Sequence, residues 1–286
     1  MKVASIYGIV GVLIITFTFF ASVYKLFIDY PFTPFLFFGL WLFFDSLHAN
    51  LSGTSTITKI RNGKYLRFAS IFVAGIILGL IEDFYGFVIS SIWLYPNTDF
   101  SSVYDVVVQY GSWGFFLAAI VEGISFFRVL LIKKHHKELG FRRHIKFHWR
   151  LVGILGALFL ILPIVNYIIF KIHQEYFLIF GLLGVWFVSD YATHLSKRKT
   201  VIEDIVSFNS YILSIIFVSA ILSIVIEFRN VWENDWIYPT YLFCTGPLCS
   251  IFILFVGWVL WIISLITFYR AFEAKLEKRL TRRQSK

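Results

Sequence analysis

Charge is scarce in this chain of 286 residues. Only 15% are Asp, Glu, Lys or Arg, while 58% are apolar and 20% aromatic. Soluble domains carry about 25% charged residues, so this balance excludes a soluble enzyme and a disordered chain. Cysteine is scarcer still. Cys244 and Cys249 are the only two, and they form neither a zinc spacing nor a disulfide framework. The chain has no Walker loop, no dinucleotide glycine fingerprint, no His-Glu-x-x-His and no Gly-x-Ser-x-Gly. ATP hydrolysis, nicotinamide redox chemistry and zinc proteolysis are therefore unexpected, and no cofactor or metal is expected. The mean hydropathy of +0.77 points instead to an integral membrane protein.

Apolar runs long enough to cross a bilayer, roughly 20 residues each, occur at 5–24, 32–49, 69–93, 109–132, 150–171, 176–193, 206–228 and 240–269. They are too continuous for a β-barrel, whose strands alternate. The expected fold is an all-α integral membrane protein with eight transmembrane helices. Acid is rarer than base, and the net charge is +9. Of the 26 lysines and arginines, 23 fall at the N-terminus, in the 50–68, 128–150 and 194–206 stretches, or in the tail from Arg270. These are alternate loops. The positive-inside rule then predicts cytoplasmic N- and C-termini in a multi-pass cell-membrane protein. The basic charge is accounted for by orientation and by contact with membrane lipids, so no nucleic acid is expected as a partner.

The two halves align at an offset of 145 residues. Gly8-Ile9-Val10-Gly11 matches Gly153-Ile154-Leu155-Gly156, and Gly39, Trp41 and Asp45 match Gly184, Trp186 and Asp190. Ile81-Glu82 matches Ile226-Glu227. After short slips, Trp93-Leu94-Tyr95-Pro96 matches Trp236-Ile237-Tyr238-Pro239, and Phe126-Phe127-Arg128 matches Phe268-Tyr269-Arg270. Such self-similarity marks a repeat architecture. The expected organisation is a four-helix repeat over 1–132, a basic linker over 133–149, a second four-helix repeat over 150–270 and a basic tail over 271–286. Because four spans is an even number, the two repeats are parallel. The counterpart of the first run in the fifth argues against a cleaved signal peptide. The four histidines of the linker region (His135, His136, His144 and His148) sit among basic residues and read as a solvated, lipid-facing segment.

A carboxylate inside a span is costly and is a functional candidate by default. Asp45, Glu82, Glu122, Asp190 and Glu227 lie in the runs, and Asp83 lies beside Glu82. Four of them form the repeat-related pairs Asp45/Asp190 and Glu82/Glu227. At about 1.5 Å per residue, Glu82 sits about 20 Å from the cytoplasmic end of its helix and Asp45 about 6 Å from its own. Two glutamates facing one low-dielectric cavity supply a proton donor and a proton acceptor. Glu82 and Glu227, with Asp45 and Asp190, are thus the candidate catalytic residues. Hydrogen-bonding glue between helices, or capping, is the competing role, above all for Asp45 and Asp190 beside His48 and His194. Glu122 has no acidic counterpart; polar Ser264 is nearest. Trp93, Tyr95, Trp236 and Tyr238, on short outer segments expected to fold back over the glutamates, and Glu122, inside a span, are the candidate substrate-lining residues.

The run Glu227, Trp236-Ile237-Tyr238-Pro239, Gly246-Pro247-Leu248 resembles polytopic carotenoid-modifying proteins, both the lycopene cyclase domain family and the archaeal carotenoid hydratase family. That resemblance implies a helical, repeat-built membrane enzyme acting on a polyene or other isoprenoid without a nucleotide cofactor. The cyclase family has Pro-x-Glu-Glu where this chain reads Pro247-Leu248-Cys249-Ser250. The functional expectation is an enzyme modifying a hydrophobic isoprenoid or lipid by carboxyl acid–base chemistry. A proton-coupled transporter or lipid carrier, or a non-catalytic membrane protein, are the alternatives.

Overall fold

Two short helices explain how the chain turns at one end of the bundle. In a computed structural model, which describes residues 3–26, 33–96, 98–135, 147–171, 174, 176–233 and 256–284 (side chains of 233 and 278–284 excepted), the described chain is all-helical. The helices are α1 (Val3–Val23), α2 (Thr33–Ser52), α3 (Thr56–Arg61), α4 (Leu66–Asp83), α5 (Val103–His135), α6 (Trp149–Phe170), α7 (Tyr176–Leu195), α8 (Val201–Ser207), α9 (Ser210–Glu233) and α10 (Trp258–Gln284). A π-helical turn, Phe84–Ile89, extends α4. Seven described helices are long and apolar enough to cross a membrane: α1, α2, α4 with its π turn, α5, α6, α7 and α9. They coincide with the first seven apolar runs. Most of the eighth run, 240–255, lies outside the described residues.

The short helices α3 and α8 form because each is capped at its N-terminus. Ser55 and Thr200 accept from the backbone N–H of the third helical residue, and Thr58 and Glu203 return the bond, completing capping boxes. Left-handed backbone at Gly63 and Phe208 then turns the chain into α4 and α9.

α5 is the central helix. It packs against α2, α4 and α9, and Leu117, Ala118, Ala119 and Ile120 on it are buried. At 33 residues it is about 50 Å long, longer than the roughly 30 Å hydrocarbon layer. α1 and α6 are peripheral. Their apolar side chains, such as Leu13 and Ile169 (each 62% exposed), face outward as the bilayer requires. Where α4 meets α5 the backbones touch. A Cβ on Gly75 would lie 2.4 Å from the Trp113 carbonyl oxygen, so only glycine fits there. Gly11 and Gly39 bring α1 and α2 together in the same way, the small-residue packing that replaces hydrophobic drive inside lipid.

Candidate functional site

The buried and half-buried carboxyls of the described helices differ in what they hold. Asp45 and Asp190 serve the short helices. Asp45 accepts from Ile57 N (3.0 Å) and Ser55 Oγ (2.6 Å). Asp190 accepts from Val201 N (3.0 Å), Ile202 N (2.8 Å) and Trp186 Nε1 (3.1 Å). Each satisfies orphan N–H groups at a helix start and ties that helix back to the span before it.

Glu82 and Glu227 do not meet in these contacts. Glu82 accepts from Ser264 Oγ (3.1 Å), and Glu227 accepts from Trp258 Nε1 (3.1 Å). Both partners are on α10, six residues apart. By helical geometry that is about 9 Å along the axis and about 120° around it. The two glutamates therefore engage the helix at different levels and on different faces.

At the same end as Glu82, the segment after the π turn folds back, and its aromatics reach Asp83. Tyr95 donates its hydroxyl to Asp83 Oδ1 (2.6 Å), and Trp93 packs 6.3 Å from Trp261. The π turn also directs Tyr85, whose hydroxyl donates to Leu160 O on α6 (2.6 Å). Trp236, Tyr238 and Pro239, with the Gly246-Pro247-Leu248 element and both cysteines, lie outside the described residues.

Glu122 is the most heavily engaged carboxyl. It is fully buried on α5 and receives three donors: His48 Nδ1 at 2.5 Å, Thr56 Oγ1 at 2.5 Å and Thr56 N at 3.2 Å. Arg67 on α4 brings a guanidinium nitrogen to 4.0 Å. A carboxylate only accepts, so Nδ1 of His48 donates and Nε2 is left as the basic nitrogen. The pair sits under a polar cavity of about 280 Å³ lined by His48, Ser55, Lys59, Arg67, Ser125 and Arg128. The geometry is that of a carboxylate-oriented imidazole facing a solvent-sized opening, the arrangement that general acid–base catalysis uses. Lys59 borders the cavity on α3. Partial burial, with the Arg67 guanidinium beside it, holds its ammonium below the usual lysine range.

The corresponding corner between α8, α9 and α10 is closed by ion pairs. Asp204 binds Lys199 Nζ (2.7 Å), Arg270 (2.8 Å) and Asn209 Nδ2 (2.6 Å), and Arg270 lies 4.0 Å over the Tyr211 ring. Among the described residues no group of three or more His, Cys, Asp or Glu is placed to hold a metal. His136 and His144 lie outside the described residues.

Sequence reasoning singled out Glu122 but not its partners. In the sequence His48 stands out only as a neighbour of Asp45, Lys59 and Arg67 only as orienting basic residues, Arg128 as one of these and as part of the repeat, and Thr56 not at all. One sequence signal does point to them: at the 145-residue offset His48 faces Thr193, Thr56 faces Val201 and Arg67 faces Ile212. Comparison with protein-family models, with curated proteins and with solved structures finds no match.

Proposed function

We propose that the chain is a multi-pass membrane enzyme that modifies a hydrophobic isoprenoid or related lipid, with the His48–Glu122 pair as its acid–base group. The observation that carries this reading is the buried imidazole–carboxylate contact opening on a polar cavity. His48 Nε2, on the lining of that cavity, would take or give a proton at a lipid's reactive end bound there. Glu122 holds the ring and its tautomer. Glu82, Glu227, Asp45 and Asp190 are read as hydrogen-bonding anchors of the helices.

The fold behind this proposal is two parallel four-helix repeats, with the apolar run 240–269 of the sequence counted as the eighth span. Both α1–α5 and α6–α10 run as two long helices, a short capped helix, and two more long helices, and the same aspartate position anchors each short helix. The basic residues of α3 and of the loops beside α3 and α8 support, by the positive-inside rule, a cytoplasmic side for the cavity and both termini. In a background with Cys244 and Cys249 replaced by alanine, Asn62→Cys is expected to label only from the cytoplasmic face and Ser101→Cys only from outside. Labelling of Asn62→Cys in intact cells would refute the orientation.

The parallel repeat plan is also that of some transporters, in which the same pair would relay protons. Lipid extracts of cells expressing the chain, compared with cells that do not, separate the two by mass spectrometry. A lipid species shifted in mass supports the enzyme. Unchanged lipids, together with pH-dependent uptake into vesicles, would replace it with the carrier.

A further inference from the structure

Lys59 and Asp204 are both the fourth residue of a short capped helix, α3 and α8 respectively. Arg128 and Arg270 are matched in the two halves by Phe126-Phe127-Arg128 and Phe268-Tyr269-Arg270. Around Asp204 the anion is built in, and its carboxylate binds Lys199 and Arg270. In the first half a cation stands where that carboxylate would be. Lys59, Arg67 and Arg128 converge on a cavity instead.

The acids beside Lys59 and Arg67 are engaged by other groups, Glu273 among them through the Tyr269 hydroxyl. Glu122 is taken by His48 and Thr56, and Asp45 by Ser55 and Ile57. Arg67 reaches Glu122 only at 4.0 Å, and its buried Nε makes no hydrogen bond among the described residues. Lys59 forms no ion pair among the described residues, although Glu273 on α10 is close enough to act on it. Its ammonium is held down by burial and by Arg67, the condition that a bound anion reverses.

We infer that this cavity binds a phosphate-bearing headgroup, a phosphate mono- or diester anion or a diphosphate, held by the cations Lys59, Arg67 and Arg128 that line it. The inference rests on the proposed lipid-modifying site and names the polar end of its substrate. Three cations suit a multiply charged anion, and guanidinium groups match phosphate oxygens bidentately. A volume of about 280 Å³ is at the small end for ligand sites, which run from about 300 Å³, and so takes a headgroup and leaves the hydrocarbon in the bilayer.

The test uses the full chain in phosphatidylcholine nanodiscs. Inorganic diphosphate is titrated calorimetrically, and retention of phosphatidic acid is read by native mass spectrometry. Lys59→Asp copies the second half and supplies the anion internally. It is expected to weaken phosphate binding at least about tenfold, the effect of roughly one charge-assisted hydrogen bond, while its thermal midpoint holds or rises. Lys59→Gln is expected to weaken binding likewise. Arg198→Gln, on the surface pair with Glu277, is expected to change nothing. Binding of diphosphate shows that the anion alone suffices, and retention of phosphatidic acid alone shows a lipid-borne group; either supports the assignment. No binding of either probe, equal binding by Lys59→Asp, equal loss in Arg198→Gln, or oleate competing as well as phosphatidic acid would overturn it. Lipid conversion without phosphate binding sinks only this inference. Phosphate binding without lipid conversion sinks the enzyme reading and leaves this one standing.

Discussion

Glu122→Ala is expected to destabilise the protein by about 3–5 kcal/mol, the cost of stranding several buried donors at about 1–3 kcal/mol each. Three donors converge on this carboxyl from two other elements: His48 on α2, and the backbone and side chain of Thr56 on α3. Removing it strands all three at a point where α2, α3 and α5 meet. A fall in thermal midpoint on the order of 10 °C in detergent follows from that cost. Thr56→Val removes one hydroxyl donor and keeps the backbone one, so its cost is smaller, about 1.5–3 kcal/mol. If the midpoint of Glu122→Ala stays within a degree or two of wild type, the network holds nothing together and its geometry is incidental.

His48→Asn is expected to lower lipid conversion about 10²–10⁴-fold, the usual contribution of one general acid–base group. Asparagine can still donate to Glu122, so the fold persists and the loss reads as chemistry. Glu122→Gln is expected to produce a loss of similar order with less change in stability than Glu122→Ala, because the amide fills the same space but no longer fixes the imidazole. Conversion that survives both substitutions while the protein remains folded would remove His48 from the reaction.

Much of the helical layout was legible because span length and apolar composition are one-dimensional properties. The seven described spans follow the runs read from the sequence. α3 and α8 were not read as helices. They are too short for hydrophobic periodicity, and their signal is the Ser55/Thr58 and Thr200/Glu203 capping pairs. The carboxyls were legible as residues but not as contacts. Asp45 and Asp190 recur because both halves need an anchor for a short helix. Glu82 and Glu227 recur where their helices each find a donor on α10. Sameness between the halves thus follows architecture, whereas Glu122 and His48 stand where the second half has a hydroxyl residue (Ser264, Thr193), and Thr56 and Arg67 where it has apolar Val201 and Ile212. Proximity between α2, α3 and α5, separated by up to 74 residues in the His48–Glu122 contact, has no local sequence signature.

The most direct measurement compares two pairs of substitutions in one lipid assay. Cells expressing wild type, His48→Asn, Glu122→Gln, Glu82→Gln and Glu227→Gln at matched protein levels are extracted, and the mass-shifted lipid is quantified. A functional site confined to the first-half cavity predicts that the shifted species disappears in His48→Asn and Glu122→Gln and persists within a fewfold of wild type in Glu82→Gln and Glu227→Gln. The opposite pattern, with conversion abolished in Glu82→Gln and Glu227→Gln and intact in His48→Asn and Glu122→Gln, would contradict it and move the chemistry to the glutamates on α4 and α9.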